Sequence, residues 1–318
     1  MKWRKLGHLF DPAHHRLPDG CTLFAQSPQA LVFDDYVRVY FSTRRPDGDG
    51  QYLSYVTYIE VDREMRKVLR VADRSVMPLG GLGAFDEHGI FPINVVRHDG
   101  AVRAYTCGWS RRVSVPVETA IGLAISRDDG RTFERVGTGP VMGPLPAEPF
   151  LVGDPFVLQH DGLWHMWYIF GTRWTPAHPG ERGPARVYKI AHATSPDGCS
   201  WLRDGRPIVA DRLGDEECQA LPTVFSRDGR WHMYFCYRHA TDFRTNAARA
   251  YRLGYAYSGD LRHWTRDDSS AGIDVSPDGW DSEMQCYPHV FECGGQIYML
   301  YNGNAFGRAG FGAARLER

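Results

Sequence analysis

The sequence predicts an all-β chain folded as a five-bladed β-propeller, and three observations predict it. A unit of polar or acidic residues, a proline, a short apolar strand, a Gly/Asp turn and an aromatic-rich strand recurs five times. Further strand segments follow each copy, which makes four strands per unit. The last copy ends before its fourth strand, and the N-terminal segment has the pattern that would supply it. With 318 residues, 43% of them hydrophobic, the chain can bury a sizeable core as one closed domain over residues 1–318.

In chain order, WRKLGHLF (residues 3–10) copies WLRDGRPIV, with Trp3 matching Trp201 and Gly7 matching Gly205. Strand 1–10 is therefore expected to complete blade five and close the ring, removing unpaired sheet edges. The five units read QSPQALVFDDYVRVYFSTR, DEHGIFPINVVRHDGAVRAYTCGW, GDPFVLQHDGLWHMWYIFGTR, ECQALPTVFSRDGRWHMYFCYR and EMQCYPHVFECGGQIYMLYNGN. Their prolines, Pro28, Pro92, Pro155, Pro222 and Pro288, stand 64, 63, 67 and 66 residues apart. The pairs Asp34-Asp35, Asp99-Gly100, Asp161-Gly162, Asp228-Gly229 and Gly294-Gly295 mark the turn of a hairpin in each. Third strands follow in YLSYVTYIEV, TAIGLAIS, VYKIAHATS, YRLGYAYS and GFGAARL, and outer strands in SRDDGRTFERVGTGPV, SPDGCSWLRDGRPIV and SGDLRHWTRDD. SRDDGRTF also fits the Ser-x-Asp-x-Gly-x-Thr-aromatic box of sialidases, but its place between third and fourth strands makes it a folding turn.

Thirty-seven basic against 38 acidic residues give a net charge of −1, so there is no global reason to expect nucleic acid or an anionic membrane as partner. No apolar run is long enough for a membrane helix, and the start lacks the apolar core of a secretory signal. Seven scattered cysteines without a C-x-x-C pair read as buried free thiols, and a cytoplasmic location is expected.

In such a fold the start of each first strand and the loop after each second strand meet at one channel mouth. Ahead of the prolines stand Asp86, Glu87 and His88, then Asp154, then Glu216 and Glu217, then Ser282 and Glu283. Glu87, Glu217 and Glu283 each lie five residues before their proline. Carboxyl groups converging on a sugar-sized hole suit glycosidic-bond cleavage, which needs a proton donor and a base or nucleophile. The alternative is that they cap strand ends or pair with arginines.

These segments resemble those of the five-bladed propeller glycosidases of the sucrase, arabinanase and β-xylosidase type (glycoside hydrolase families 32, 43, 68 and 117) and the related mannoside phosphorylases. Asp154 in GDPFVL is similar to their middle-blade Asp-Pro, which implies a role in orienting substrate and tuning the acid. Glu217-Cys218 in EECQALP is similar to the segment that bears their general acid, although the proline comes later here. The blade-one Asp-Pro of those enzymes is replaced by Ser27-Pro28, so the base would be Glu283, Glu87 or Asp86, or the protein is no standard hydrolase. His289 corresponds to a fifth-blade histidine that lines the channel beside a metal or water in the arabinanase group; a packed histidine is the other reading.

The loops after the second strands all carry arginine: Arg44 and Arg45, Arg111 and Arg112, Arg173, Arg238 with Arg244, and Arg308. Arginine suits bidentate contacts to carboxylate or phosphate, so an anionic ligand is expected, unless the arginines balance the acids beneath them. Trp109, Trp174, Tyr237 and Phe243 in the same loops offer faces for a sugar. The expected activity is cleavage of a glycosidic bond in a small, anionic carbohydrate or sugar phosphate, with Glu217 as acid, Asp154 positioning the sugar and Glu283 or Glu87 as base. No cofactor is expected beyond a channel metal ion or bound phosphate. The alternative is a non-hydrolytic carbohydrate-binding propeller, or one serving polysaccharide or natural-product biosynthesis.

Overall fold

The computed structural model describes residues 1–177 and 183–317; residues 178–182 of the loop GTRWTPAHPGERGPAR and residue 318 lie outside the described residues. After β1 (Trp3–Phe10), the described strands run in groups of consecutive hydrogen-bonded neighbours. The first group is β2 (Leu23–Val32), β3 (Val37–Pro46), β4 (Tyr52–Val61) and β5 (Val68–Val71). The second is β6 (Gly89–His98), β7 (Ala101–Arg111), β8 (Val117–Ser126) and β9 (Glu134–Arg135). A single parallel contact between Ser54 and Gly89 links these two groups. The third is β10 (Val152–His160), β11 (Leu163–Thr175), β12 (Ala185–Ser195) and β13 (Leu202–Arg203). The fourth is β14 (Glu217–Arg227), β15 (Arg230–His239), β16 (Arg252–Ser258) and β17 (Thr265–Arg266). The last is β18 (Cys286–Cys293), β19 (Gln296–Asn302) and β20 (Phe311–Leu316), and β1 pairs antiparallel with β20 from Trp3↔Leu316 to Phe10↔Phe311.

Local chemistry explains these hairpins. Asp99 and Gly100, Asp161 and Gly162, Asp228 and Gly229, and Gly294 and Gly295 all have positive φ, the backbone that a two-residue turn between twisted strands requires. Asp34-Asp35 has no glycine and no positive φ, and there the Phe33 N–H instead closes the turn on the Tyr36 carbonyl. Val37, Val39, Tyr40 and Phe41 of β3 are all buried, without the alternation of a one-sided sheet, because inner strands have a neighbouring sheet on each face. First strands touch in succession, β2 with β6, β6 with β10, β10 with β14, β14 with β18, and β18 with β2.

A buried ion pair recurs in the sheets. An acid at or just ahead of the start of a first strand reaches a cation on the outermost strand of the same sheet: Asp86 to Arg135 (2.6 Å), Glu148 to Arg203 (2.5 Å), Glu217 to Arg266 (2.6 Å) and Asp281 to Lys5 (2.7 Å). Tyr168 donates to Glu148, and the Tyr301 hydroxyl donates to Asp281 at 3.0 Å. Lys5 shows β1 filling the place that β9, β13 and β17 fill elsewhere. The Trp3 indole N–H also donates to the Tyr234 hydroxyl at 2.8 Å. All seven cysteines are free, and all but Cys199 are buried. No described helix is long and apolar enough to cross a membrane.

Candidate active site at the start of the first strands

Every first strand is irregular where its proline sits. The pairing register slips between Gln26 and Gln29, Ile90 and Ile93, Gly153 and Phe156, Ala220 and Thr223, and Cys286 and His289. In four strands the residue before the proline has left-handed backbone: Ser27 (φ 54°), Asp154 (51°), Leu221 (48°) and Tyr287 (57°); in β6 the Phe91–Pro92 peptide is cis. Holding a non-glycine residue there costs on the order of 1–3 kcal/mol, and bulges of this kind re-aim side chains beside binding sites. Ser27, Phe91, Asp154, Leu221 and Tyr287 are thus the matched positions, with one carboxyl among them. Two pairs among them meet: the Phe91 and Tyr287 rings lie 5.2 Å apart, and the Leu221 backbone N–H favours the charged form of the Asp154 carboxyl beside it.

Asp154 is buried, and burial pushes its carboxyl up to about 7, against the pull of Arg186 and the Leu221 N–H. Arg186 acts on it directly, and Arg186 in turn belongs to a cluster of arginines and phenols. Arg238 is buried, donates to the Tyr188 hydroxyl at 2.9 Å and rests on the Phe243 ring at 3.5 Å. The Tyr188 and Tyr251 hydroxyls share a hydrogen bond of 2.7 Å, and Tyr251 packs on Tyr287 with ring centres 5.6 Å apart. Arg44 lies over Phe24 at 4.9 Å, and burial holds its guanidinium below the ordinary value. Arg244 stands open to solvent at the mouth, and its pKa is lowered first by desolvation of its charged end, then by Arg238 and Arg186. None of Arg44, Arg186, Arg238 and Arg244 forms an ion pair with a described carboxylate. The Nε atoms of Arg44 and Arg238 are buried without partners. Of the four, Arg238 is the buried one, and a buried cation without an ion-pair partner is costly.

Other expected site residues lie elsewhere. Glu217 has no exposed surface; it accepts from Arg266 at 2.6 Å, from the Arg212 and Leu213 N–H groups at 2.9 Å each, and from Gln219 at 2.9 Å. Both its oxygens are spent on the outer edge of the sheet, so it is not placed to protonate a substrate at the mouth. Tyr237 belongs to the same assembly, with Arg266 over its ring at 4.4 Å. Asp86 is likewise committed to Arg135. Glu283 is exposed and is fixed only through its backbone, by Asn304 and Arg252. Glu87 accepts from the Gly83 N–H at 2.9 Å and lines a groove beside the loop between β7 and β8.

His88 stacks on Trp109 with ring centres 5.9 Å apart. Arg45 donates to the Asp19 carbonyl and the Tyr55 hydroxyl, Arg112 pairs with Glu118, Arg173 donates to the Asp215 carbonyl, and Arg308 is exposed. Trp174 lines a groove beside the mouth. His289 is packed between Phe156 and Phe291 with both ring nitrogens unpartnered, and burial lowers it to about 3. No group of three His, Cys, Asp or Glu able to hold a metal occurs among the described residues. Arg186, Tyr188 and Tyr251 were not expected from the sequence, because they stand at or just before the third strands and not in the loops that carry the other arginines.

No known family profile matches the chain. The uncharacterized proteins MT1551 and Rv1502, from Mycobacterium tuberculosis strains CDC 1551 / Oshkosh and ATCC 25618 / H37Rv, are each 35% identical to it over 323 residues, across the full length of both chains. The chain belongs to the Rv1502 family. Among solved structures, this Rv1502-family chain is similar to a glycoside hydrolase with a TM-score of 0.73 at 15% identity, over 99% of this chain and 91% of that one. A β-1,2-mannobiose phosphorylase from Listeria innocua gives 0.67 at 13% identity, over 98% and 96%. A thermostable family-43 glycoside hydrolase gives 0.64 at 13% identity, over 92% and 90%. At these identities the likeness is one of fold: the chain has the all-β, propeller-like fold of these structures.

Proposed function

We propose that the chain is a glycoside-processing enzyme, a single five-bladed propeller closed by β1, in which Asp154 donates a proton to a glycosidic oxygen while the mouth arginines hold an anionic reactant. One protonatable carboxyl beside Arg186, which joins Arg238 and Arg244 in a cluster without carboxylate partners, carries this reading. A pKa near 7 keeps a useful fraction of Asp154 in its acid form at neutral pH, as a proton donor needs.

Hydrolysis would also use a second carboxyl about 5 to 9.5 Å away, to attack or to activate water. The matched position in the first sheet holds Ser27, whose hydroxyl has no partner to take its proton. A phosphate dianion needs no base, because it is already an ionised nucleophile. In this reading a phosphate oxygen forms a bond to the anomeric carbon as the glycosidic C–O bond breaks. The departing oxygen takes the Asp154 proton, and the phosphate hydroxyl returns one to the Asp154 carboxylate. The products are a sugar 1-phosphate and an alcohol. The seven free cysteines suit a reducing compartment, in keeping with a cytoplasmic enzyme.

The test is incubation with a disaccharide panel, with and without inorganic phosphate, reading sugar 1-phosphate and free sugar. Phosphate-dependent turnover that Asp154→Asn abolishes is expected. Phosphate-independent release of free sugar by the Asp154→Asn variant would overturn the assignment. Ser27 also fits a propeller that binds such a glycan without cleaving it, and binding without product would favour that second reading.

A further inference from the structure

We infer that a trough beside the mouth, between the second and third sheets, is a binding site for a neutral oligosaccharide chain. The inference rests on the glycoside-processing reading above and adds to it where the rest of the glycan lies. Two concavities of about 510 and 490 Å³ flank the loop between β7 and β8 and share Arg111, Arg112 and Glu118. Each falls within the range of small-molecule sites. They adjoin at those shared residues, with Trp174 and Phe150 lining one and Phe85 and Glu87 lining the other. Its floor adjoins the catalytic position: Leu151 lines it, and Thr119 of its wall donates to the Val152 carbonyl at 2.7 Å, two residues from Asp154.

The chemistry of the trough differs from that of the mouth. Arg112 pairs with Glu118, and Glu87 takes a backbone N–H, so this surface has no concentrated unpaired charge like that around Arg238. Its lining instead combines aromatic side chains, Trp174, Phe150 and Phe85, with charged groups able to hydrogen-bond hydroxyls. That combination suits sugar rings, whose C–H faces stack on aromatics while their edges carry hydroxyls. The anion therefore sits at the centre, and the uncharged remainder of the glycan runs outward past Trp174.

The probes are neutral gluco-, manno-, xylo- and arabino-oligosaccharides of two to five units, titrated calorimetrically, with inorganic phosphate titrated separately. For at least one series the dissociation constant should fall with chain length. Trp174→Ala should erase that gain, weakening the longest member about tenfold, and Trp174→Tyr should restore most of it, while phosphate binding stays unchanged. An unaltered length dependence in Trp174→Ala, or no binding by any member at millimolar concentration, would overturn the inference. Length-dependent binding through Trp174 without any turnover would sink the enzymatic reading and leave the trough standing; phosphate-dependent turnover indifferent to chain length would do the reverse.

Discussion

Replacing Asp154 by Asn should make the protein more stable at neutral and alkaline pH, and the structure sets the size of the effect. In the folded chain burial raises this carboxyl to about 7, whereas an aspartate in the unfolded chain titrates near 3.9. Between those values the native protein holds a proton that the unfolded chain has released. Stability therefore falls as pH rises from about 4, and the loss is complete once pH passes about 7. A gap of roughly 3 pH units corresponds to about 4 kcal/mol at 1.36 kcal/mol each. Asn keeps the shape and an oxygen to accept the Leu221 N–H, but it has no proton to lose. Urea denaturation of both proteins from pH 4 to pH 8 should give midpoints that coincide at the acid end and separate progressively, with the variant the more stable. Parallel curves would show that Asp154 titrates like a solvated acid, and would remove the ground for making it a proton donor.

Glu217→Ala should cost about 3–5 kcal/mol, because it leaves Arg266 buried beside Asp268 alone, and Arg266→Met in the same chain should recover part of that loss. Denaturant midpoints through the double-mutant cycle check it, and additive losses would mean that the pair is not coupled. Arg238→Ala should weaken phosphate binding by about 1.5–3 kcal/mol, the range for a hydrogen bond to a charged group, while Arg308→Ala leaves it unchanged. Calorimetric titration decides this, and equal effects from the buried and the exposed arginine would refute the central anion site.

The strands were legible because their chemistry repeats. Prolines at a steady period mark each hairpin, glycine-bearing turns mark four of the five, and Trp3 and Gly7 reveal that β1 imitates an outer strand. The acids were harder to read. Counting five residues back from the proline finds Glu87, Glu217 and Glu283, but it picks out the region where an acid meets the outermost strand, as Glu217 meets Arg266 and Asp86 meets Arg135. The positions that share the mouth stand immediately before the proline. There Ser27, Phe91, Asp154, Leu221 and Tyr287 have no side-chain chemistry in common, and what unites four of them is a backbone angle that no sequence displays. Arg186 and Tyr251 were hidden for another reason: at the entry to a third strand they read as ordinary sheet residues, and only the fold turns them toward Asp154 and Arg238.

The pairing of β1 with β20 also bears on the order in which the chain assembles. Most strand pairs join neighbours in sequence, so their hairpins can form early from local contacts. The last sheet is different, since Trp3 must find Leu316 and Lys5 must find Asp281. Until it does, β20 presents an unpaired edge and Trp3 lacks its bond to Tyr234. Closing so long a loop is slow, and an open edge meanwhile invites pairing with another copy of the chain. The strand that finishes the last sheet thus acts as a guard against aggregation, and conditions that fray it should show first as association between molecules.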